Sequence, residues 1–223
     1  MHQNENKIPV YFLPGLAANP SIFKNIKLDT DKFETHYLEW MIPYENESIS
    51  EYAQRMCSEI KHSNAVLVGV SFGGIVAQEM NLVHDFRKIV IISSVKTRLE
   101  LPLHLQLAGK TKAYKLVPAS LFAQNIDLLA KYAFGKPIVK RLDLYKQYLS
   151  ITDKRYLDWA IKQVVSWKQD ESDPNLIHIH GNKDIIFPIE KIENCIIVEG
   201  GTHIMILTKF KWLNKNLPNL ILS

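Results

Sequence analysis

Residues Ala65-Val66-Leu67-Val68-Gly69-Val70-Ser71-Phe72-Gly73-Gly74 decide the fold. The aliphatic run predicts a strand from Ala65 to Val70 buried on both faces, and a helix is expected directly after Ser71. Between them lies G-x-S-x-G, which alone would occur by chance in roughly 7 of 100 chains of this length. The flanking strand and helix therefore carry the reading. A serine in that position occupies a sharp turn with strained backbone, and Gly69 and Gly73 remove Cβ atoms that would collide as helix and strand approach. Its hydroxyl then stands above the carboxyl ends of the strands, where open α/β sheets place their ligands. The competing reading is a tight glycine-rich turn with no chemistry.

Outward from this segment, short apolar runs alternate with helical patterns, as in a parallel sheet covered by helices. Six strands are predicted: Ile8 to Leu13, His36 to Trp40, Ala65 to Val70, Lys88 to Ser93, Leu176 to His180 and Cys195 to Glu199. Ile49, Tyr52, Ala53, Met56, Cys57 and Ile60 form one helical stripe, with Ser48 and Glu51 as its capping box. A helix should begin near Pro20 with Asn19 as its cap, and another near Asp153, carrying Tyr156, Leu157, Ala160, Ile161, Val164 and Val165 at helical spacing. Several helices are expected between about Val95 and Asp170, inserted between the fourth and fifth strands. No internal repeat and no low-complexity linker separates them from the rest, so one domain with a packed lid is expected.

A serine hydroxyl is a weak nucleophile at neutral pH and needs a base and an orienting acid. Both occur in the loops after the last two strands, in Gly181-Asn182-Lys183-Asp184-Ile185-Ile186-Phe187-Pro188 and in Gly200-Gly201-Thr202-His203. Taken singly, Asp184 suits a turn and His203 a surface position. Taken jointly, Ser71, Asp184 and His203 fall in order at strand ends, which coincidence explains poorly.

The chain resembles the α/β-hydrolase superfamily over nearly its whole length, through LPGL at 13–16, GVSFGG at 69–74, HGNKDIIFP at 180–188 and GGTH at 200–203. The order Ser, Asp, His is the one that fold uses. The resemblance implies Ser71 as nucleophile, His203 as general base, Asp184 as the acid orienting it, and an oxyanion hole made by the backbone N–H groups of Leu16 and Phe72. It implies a core of residues 1–94 and 171–223 and a helical cap of residues 95–170 that shapes the acyl pocket. Two departures are visible. Pro14-Gly15 stands where many members have His-Gly, and the family's first two strands have no counterpart, leaving a compact, mainly parallel sheet of six strands.

A serine nucleophile argues against the dehalogenase and epoxide-hydrolase branches, which use aspartate. The implied activity is hydrolysis of a carboxylic ester or thioester through an acyl-enzyme. Acyl transfer, carbon–carbon bond cleavage, or ligand binding without turnover on the same framework remain open, because fold does not fix function. Leu101, Leu103, Leu105, Leu107, Leu121, Phe122 and Phe134 either line an acyl pocket or pack a core.

The 223 residues are 47% hydrophobic and 22% charged, an ordinary globular composition. No apolar run reaches the roughly 20 residues that span a bilayer. The start MHQNENK lacks the basic-then-apolar order of a secretory signal, so a cytoplasmic location is expected unless a leader was removed. Cys57 and Cys195, on a predicted helix and a predicted strand, read as two packed thiols. The net charge of +4 is uneven: residues 96–170 carry +8 and the remainder −4. Either these lysines solvate helix faces, the favoured reading, or they attract an acyl substrate with an anionic head or carrier. Gly109-Lys110-Thr111 ends like a P-loop, but His104 stands where its first glycine belongs. His178 and His180 share a strand face without a Cys, Asp or Glu partner at ligand spacing, so packed histidines are expected, with no metal and no cofactor. No signature of nucleic-acid binding accompanies the basic segment.

Overall fold

The computed structural model describes residues 7–111 and 147–223. Among these residues six strands form one sheet: β1 (Ile8–Leu13), β2 (Phe33–Tyr37), β3 (Val66–Val70), β4 (Lys88–Ile92), β5 (Ile177–Gly181) and β6 (Ile196–Val198). Their order is β2-β1-β3-β4-β5-β6 and every neighbouring pair is parallel. The chain steps outward from β1 to β2 and then returns to place β3 on the other side of β1. That reversal opens a crevice beyond the carboxyl ends of β1 and β3, between the loops carrying Gly15 and Ser71. The central strands are buried on both faces: Val66, Leu67, Val68, Val90, Ile91 and Ile92 are fully inaccessible. Each such aliphatic side chain contributes about 1.5–3 kcal/mol of burial.

Helix α1 (Ile49–Cys57) packs against α2 (Phe72–Asn81), and both termini of the capping box at Ser48 and Glu51 are present. The first turn of α1 thereby satisfies donors that a helix leaves orphaned. Helix α3 (Leu103–Thr111) packs on α4 (Lys154–Ser166), whose N-cap Asp153 accepts from the N–H groups of Arg155 and Tyr156. Short α5 (Met205–Thr208) leads into α6 (Phe210–Leu222). Gly109-Lys110-Thr111 is the last turn of α3, so its amides are committed to a helix and form no phosphate cradle. Leu101 is buried whereas Leu103 and Leu107 are exposed, so this leucine series does not line one surface. Leu121, Phe122 and Phe134, and the middle of the expected 95–170 cap, lie outside the described residues.

Two expectations need correction. The second strand runs from Phe33 to Tyr37, three residues earlier than its apolar pattern predicts. Leu38 and Trp40 are buried, but the Leu38 N–H to Phe12 carbonyl bond (2.9 Å) ends the contact with β1. Beyond it the chain turns toward the loop after β1, so burial there reflects packing and not a ladder. The element at Pro20–Phe23 is one turn of 3-10 helix, capped by Asn19 as expected. Cys57 and Cys195 are both free, and burial pushes the Cys57 thiol up to about 11. Among the described residues no helix is long and apolar enough to cross a membrane.

Candidate active site

Ser71 occupies the turn between β3 and α2 with φ 52° and ψ −120°. A left-handed non-glycine residue costs about 1–3 kcal/mol and persists only where its surroundings over-determine it. They do so here. The Ser71 N–H donates to the Ile92 carbonyl (2.9 Å), and its carbonyl accepts from the Ser94 hydroxyl (2.7 Å) and the Gly74 N–H (2.8 Å). A Cβ on Gly69 would lie 2.4 Å from the Gly73 carbonyl oxygen, and one on Gly73 would lie 2.3 Å from that of Pro14. The motif's glycines are thus required by close backbone approach, and the Ser71 hydroxyl faces His203.

The Asp184 carboxylate is buried and can only accept hydrogen bonds when ionised. One oxygen, Oδ1, takes the N–H groups of Ile186 (2.8 Å) and Phe187 (3.0 Å). The other, Oδ2, lies 2.8 Å from His203 Nδ1. That contact requires Nδ1 to carry the proton, which leaves Nε2 as an acceptor 2.9 Å from the Ser71 hydroxyl oxygen. Burial pushes the Asp184 carboxyl upward, but attraction to His203 and hydrogen bonds from His203 and the Phe187 N–H prevail and hold it below its ordinary value. The two loops are tied together: Lys183 N–H donates to the Gly201 carbonyl (2.8 Å), and Asn182 bridges Glu199 and the Gly200 N–H.

His180 donates from Nε2 to the Phe187 carbonyl (2.8 Å) and lies 3.6 Å from Asp184 Oδ2. Its Nδ1 then accepts from His178 Nε2 (3.2 Å). Burial pushes both imidazoles below their ordinary values, against the raising effect of Asp184 on His180. They are packed, neutral histidines behind the carboxylate.

The N–H groups of Leu16 and Phe72 find no acceptor among the described residues. Phe72 is the first residue of α2, where an N–H lacks an intrahelical partner and the helix dipole favours negative charge. The Gly15–Leu16 peptide is clamped from its other side: the Gly15 carbonyl accepts from Trp40 Nε1 (3.0 Å) and from the Ala18 N–H (3.0 Å). Trp40 also stacks on Phe72 (ring centroids 5.3 Å apart) and packs on Tyr156 of α4 (5.6 Å). Tyr148 and Ile151 bond to Asn19 and Ala17, so the chain entering α4 is stitched to the same loop. Neither Trp40 nor Ser94 stands out in the sequence as a site residue. The pattern around Trp40 predicts a strand, and a serine two residues past β4 carries no local signal.

No protein-family model and no curated protein sequence matches the chain. Solved structures do. A hydrolase from Pseudomonas aeruginosa superposes with TM-score 0.71 at 12% identity, covering 97% of this chain and 91% of that one. A lipase-esterase related protein from Clostridium acetobutylicum gives TM-score 0.67 at 15% identity, with 99% and 97% covered. The enol-lactonase from Burkholderia xenovorans gives 0.68 at 12% identity, with 100% and 94% covered.

The chain has the α/β-hydrolase fold. In this α/β-hydrolase framework Ser71, Asp184 and His203 come together from the loops after β3, β5 and β6, and Gly15 of the loop after β1 lies close enough to Ser71 that a Cβ there would be 3.5 Å from the Ser71 Cβ.

Proposed function

We propose that the protein is a serine hydrolase that cleaves a carboxylic ester or thioester. The observation that carries this reading is the unbroken hydrogen-bonded line from Ser71 through His203 to Asp184. In the proposed reaction His203 Nε2 takes the Ser71 proton as the serine oxygen attacks the substrate carbonyl carbon. The tetrahedral oxyanion is held by the N–H groups of Leu16 and Phe72, which are fixed in advance and need no reorganisation as charge develops. The intermediate collapses, the carbon–heteroatom bond breaks, and the imidazolium gives its proton to the departing alkoxide or thiolate. Water then attacks the acyl-enzyme with His203 again as base, restoring Ser71 and releasing the acid. Asp184 keeps the imidazole in the required tautomer and stabilises its cationic form.

Acyl groups on an anionic head or carrier belong to the proposed substrate class, on the strength of the +8 charge of residues 96–170. Four of its cations, Lys96, Arg98, Lys154 and Arg155, already pair with Glu100, Asp170, Asp158 and Asp153, and these add little net field.

The deciding experiment is labelling with a fluorophosphonate, together with turnover of a panel of nitrophenyl esters and acyl-thioesters in the presence and absence of acceptor alcohols. Wild type should be labelled at Ser71 and should release free acid. Ser71→Ala should lose labelling and about 10⁴–10⁶ in kcat while staying folded. An alanine variant retaining a tenth of wild-type turnover would remove Ser71 as nucleophile. Ester products in place of acid would make the protein an acyltransferase, and a folded wild type that binds esters without labelling or turnover would make it a binding protein.

A further inference from the structure

Strand β2 forms one edge of the sheet, and its side chains alternate between faces. Glu34 and His36 share a face, and His36 stands in register with Tyr11 of β1, its ring stacked on the phenol ring at 4.6 Å. His62 reaches the same place from the connection between α1 and β3, its ring 4.7 Å from that of His36. One ligand atom from each of Glu34, His36 and His62 lies within 4.8 Å of the other two.

Three features of this cluster suit a metal ion. His36 Nε2 is buried and makes no hydrogen bond among the described residues, although Glu34 Oε1 lies 3.3 Å away. That spacing matches the roughly 3.4 Å between two ligand atoms each about 2.1 Å from a tetrahedral Zn²⁺. His62 Nδ1 is 2.7 Å from the Tyr11 hydroxyl, which also accepts the Lys61 N–H at 3.0 Å. In the tautomer whose Nδ1–H donates to Tyr11, the His62 Nε2 lone pair is free to take a metal, and such an outer partner fixes tautomer and ring orientation in metal-bound histidines. Two imidazoles and a carboxylate form a borderline donor set that suits zinc, with a fourth position open to water. Glu34 is half exposed and His62 partly so, leaving the two side chains room to close on the ion.

We propose that Glu34, His36 and His62 bind one Zn²⁺-class divalent cation, which fastens edge strand β2 to the segment between α1 and β3. The ion closes a link between parts of the chain 26 positions apart and holds a strand that, among the described residues, has a ladder partner on one side only. It takes no part in the proposed hydrolysis.

The test uses the full chain and Zn²⁺ alone, by competition with a chromophoric chelator and by thermal unfolding. Wild type should take up one equivalent. His36→Ala and His62→Ala should each weaken binding at least tenfold, as should Tyr11→Phe, which removes only the outer hydroxyl. His203→Ala should bind as wild type does. At about 100 times the dissociation constant, Zn²⁺ should raise the wild-type Tm by about 5–10 °C and leave that of His36→Ala unchanged. Should a ligand variant fold poorly, Glu34→Gln at the exposed ligand gives the same comparison. A wild-type Kd weaker than about 0.1 mM, or uptake that persists undiminished in both histidine variants, overturns the proposal.

Discussion

Trp40→Phe isolates the clamp on the proposed oxyanion loop. Trp40 is buried, and its indole N–H donates to the Gly15 carbonyl, the other end of the peptide whose N–H belongs to Leu16. Phenylalanine keeps an aromatic ring against Phe72 and Tyr156 but removes that donor. The Gly15 carbonyl retains the Ala18 N–H, so the peptide is loosened and not released. One lost hydrogen bond and the smaller ring together should cost about 1–3 kcal/mol of stability. For a chain of this size that lowers Tm by roughly 2–4 °C per kcal/mol. Complete removal of an oxyanion donor costs about 10²–10³ in kcat. A donor that is present but poorly aimed should cost part of that, about 10- to 100-fold, with KM nearly unchanged because the oxyanion exists only after attack. The assay is steady-state hydrolysis of a nitrophenyl ester alongside affinity for a boronic acid, which forms a tetrahedral adduct on serine. Boronate affinity should fall in parallel with kcat. A variant whose kcat stays within twofold of wild type, or which loses KM and kcat equally, would refute the positioning role of Trp40.

Further outcomes follow from Asp184 and from the uneven charge. Asp184→Asn should cost about 10⁴ in rate by placing the imidazole in the wrong tautomer, and near-normal turnover would assign the acid elsewhere. Because the folded carboxyl is held below its unfolded value near 3.9, its ionised form contributes stability that is complete above that value and is lost as pH falls through the lower folded value. The difference in urea stability between wild type and Asp184→Asn should therefore narrow below about pH 4, and an equal gap at pH 6 and pH 3 would contradict it. If the basic segment attracts anionic substrates, kcat/KM for an acyl-CoA thioester should fall steeply as salt shortens the screening length from about 30 Å to about 8 Å. A neutral ester with the same acyl chain should change little, and equal salt dependence would leave the lysines as solubilising charge.

The parts of this protein legible in its sequence are those decided by short-range rules. The strand, turn and helix around Ser71 follow from an aliphatic run ending in G-x-S-x-G, and the starts of α1 and α4 follow from Ser48, Glu51 and Asp153, whose side chains bond to amides within three residues. The order of Ser71, Asp184 and His203 at strand ends is also linear information. Their meeting is not: His203 and Ser71 are 132 positions apart, and only the placement of β5 and β6 beside β4 brings the imidazole to 2.9 Å from the hydroxyl. The early end of β2 was hidden because a buried Trp40 looks the same in sequence whether it pairs in a ladder or packs on a loop. The cluster of Glu34, His36 and His62 is not legible in sequence for a related reason. Ligand spacing is readable when a single element supplies the donors, whereas these join an edge strand to a segment beyond α1, and it is the parallel pairing of β2, β1 and β3 that sets them face to face.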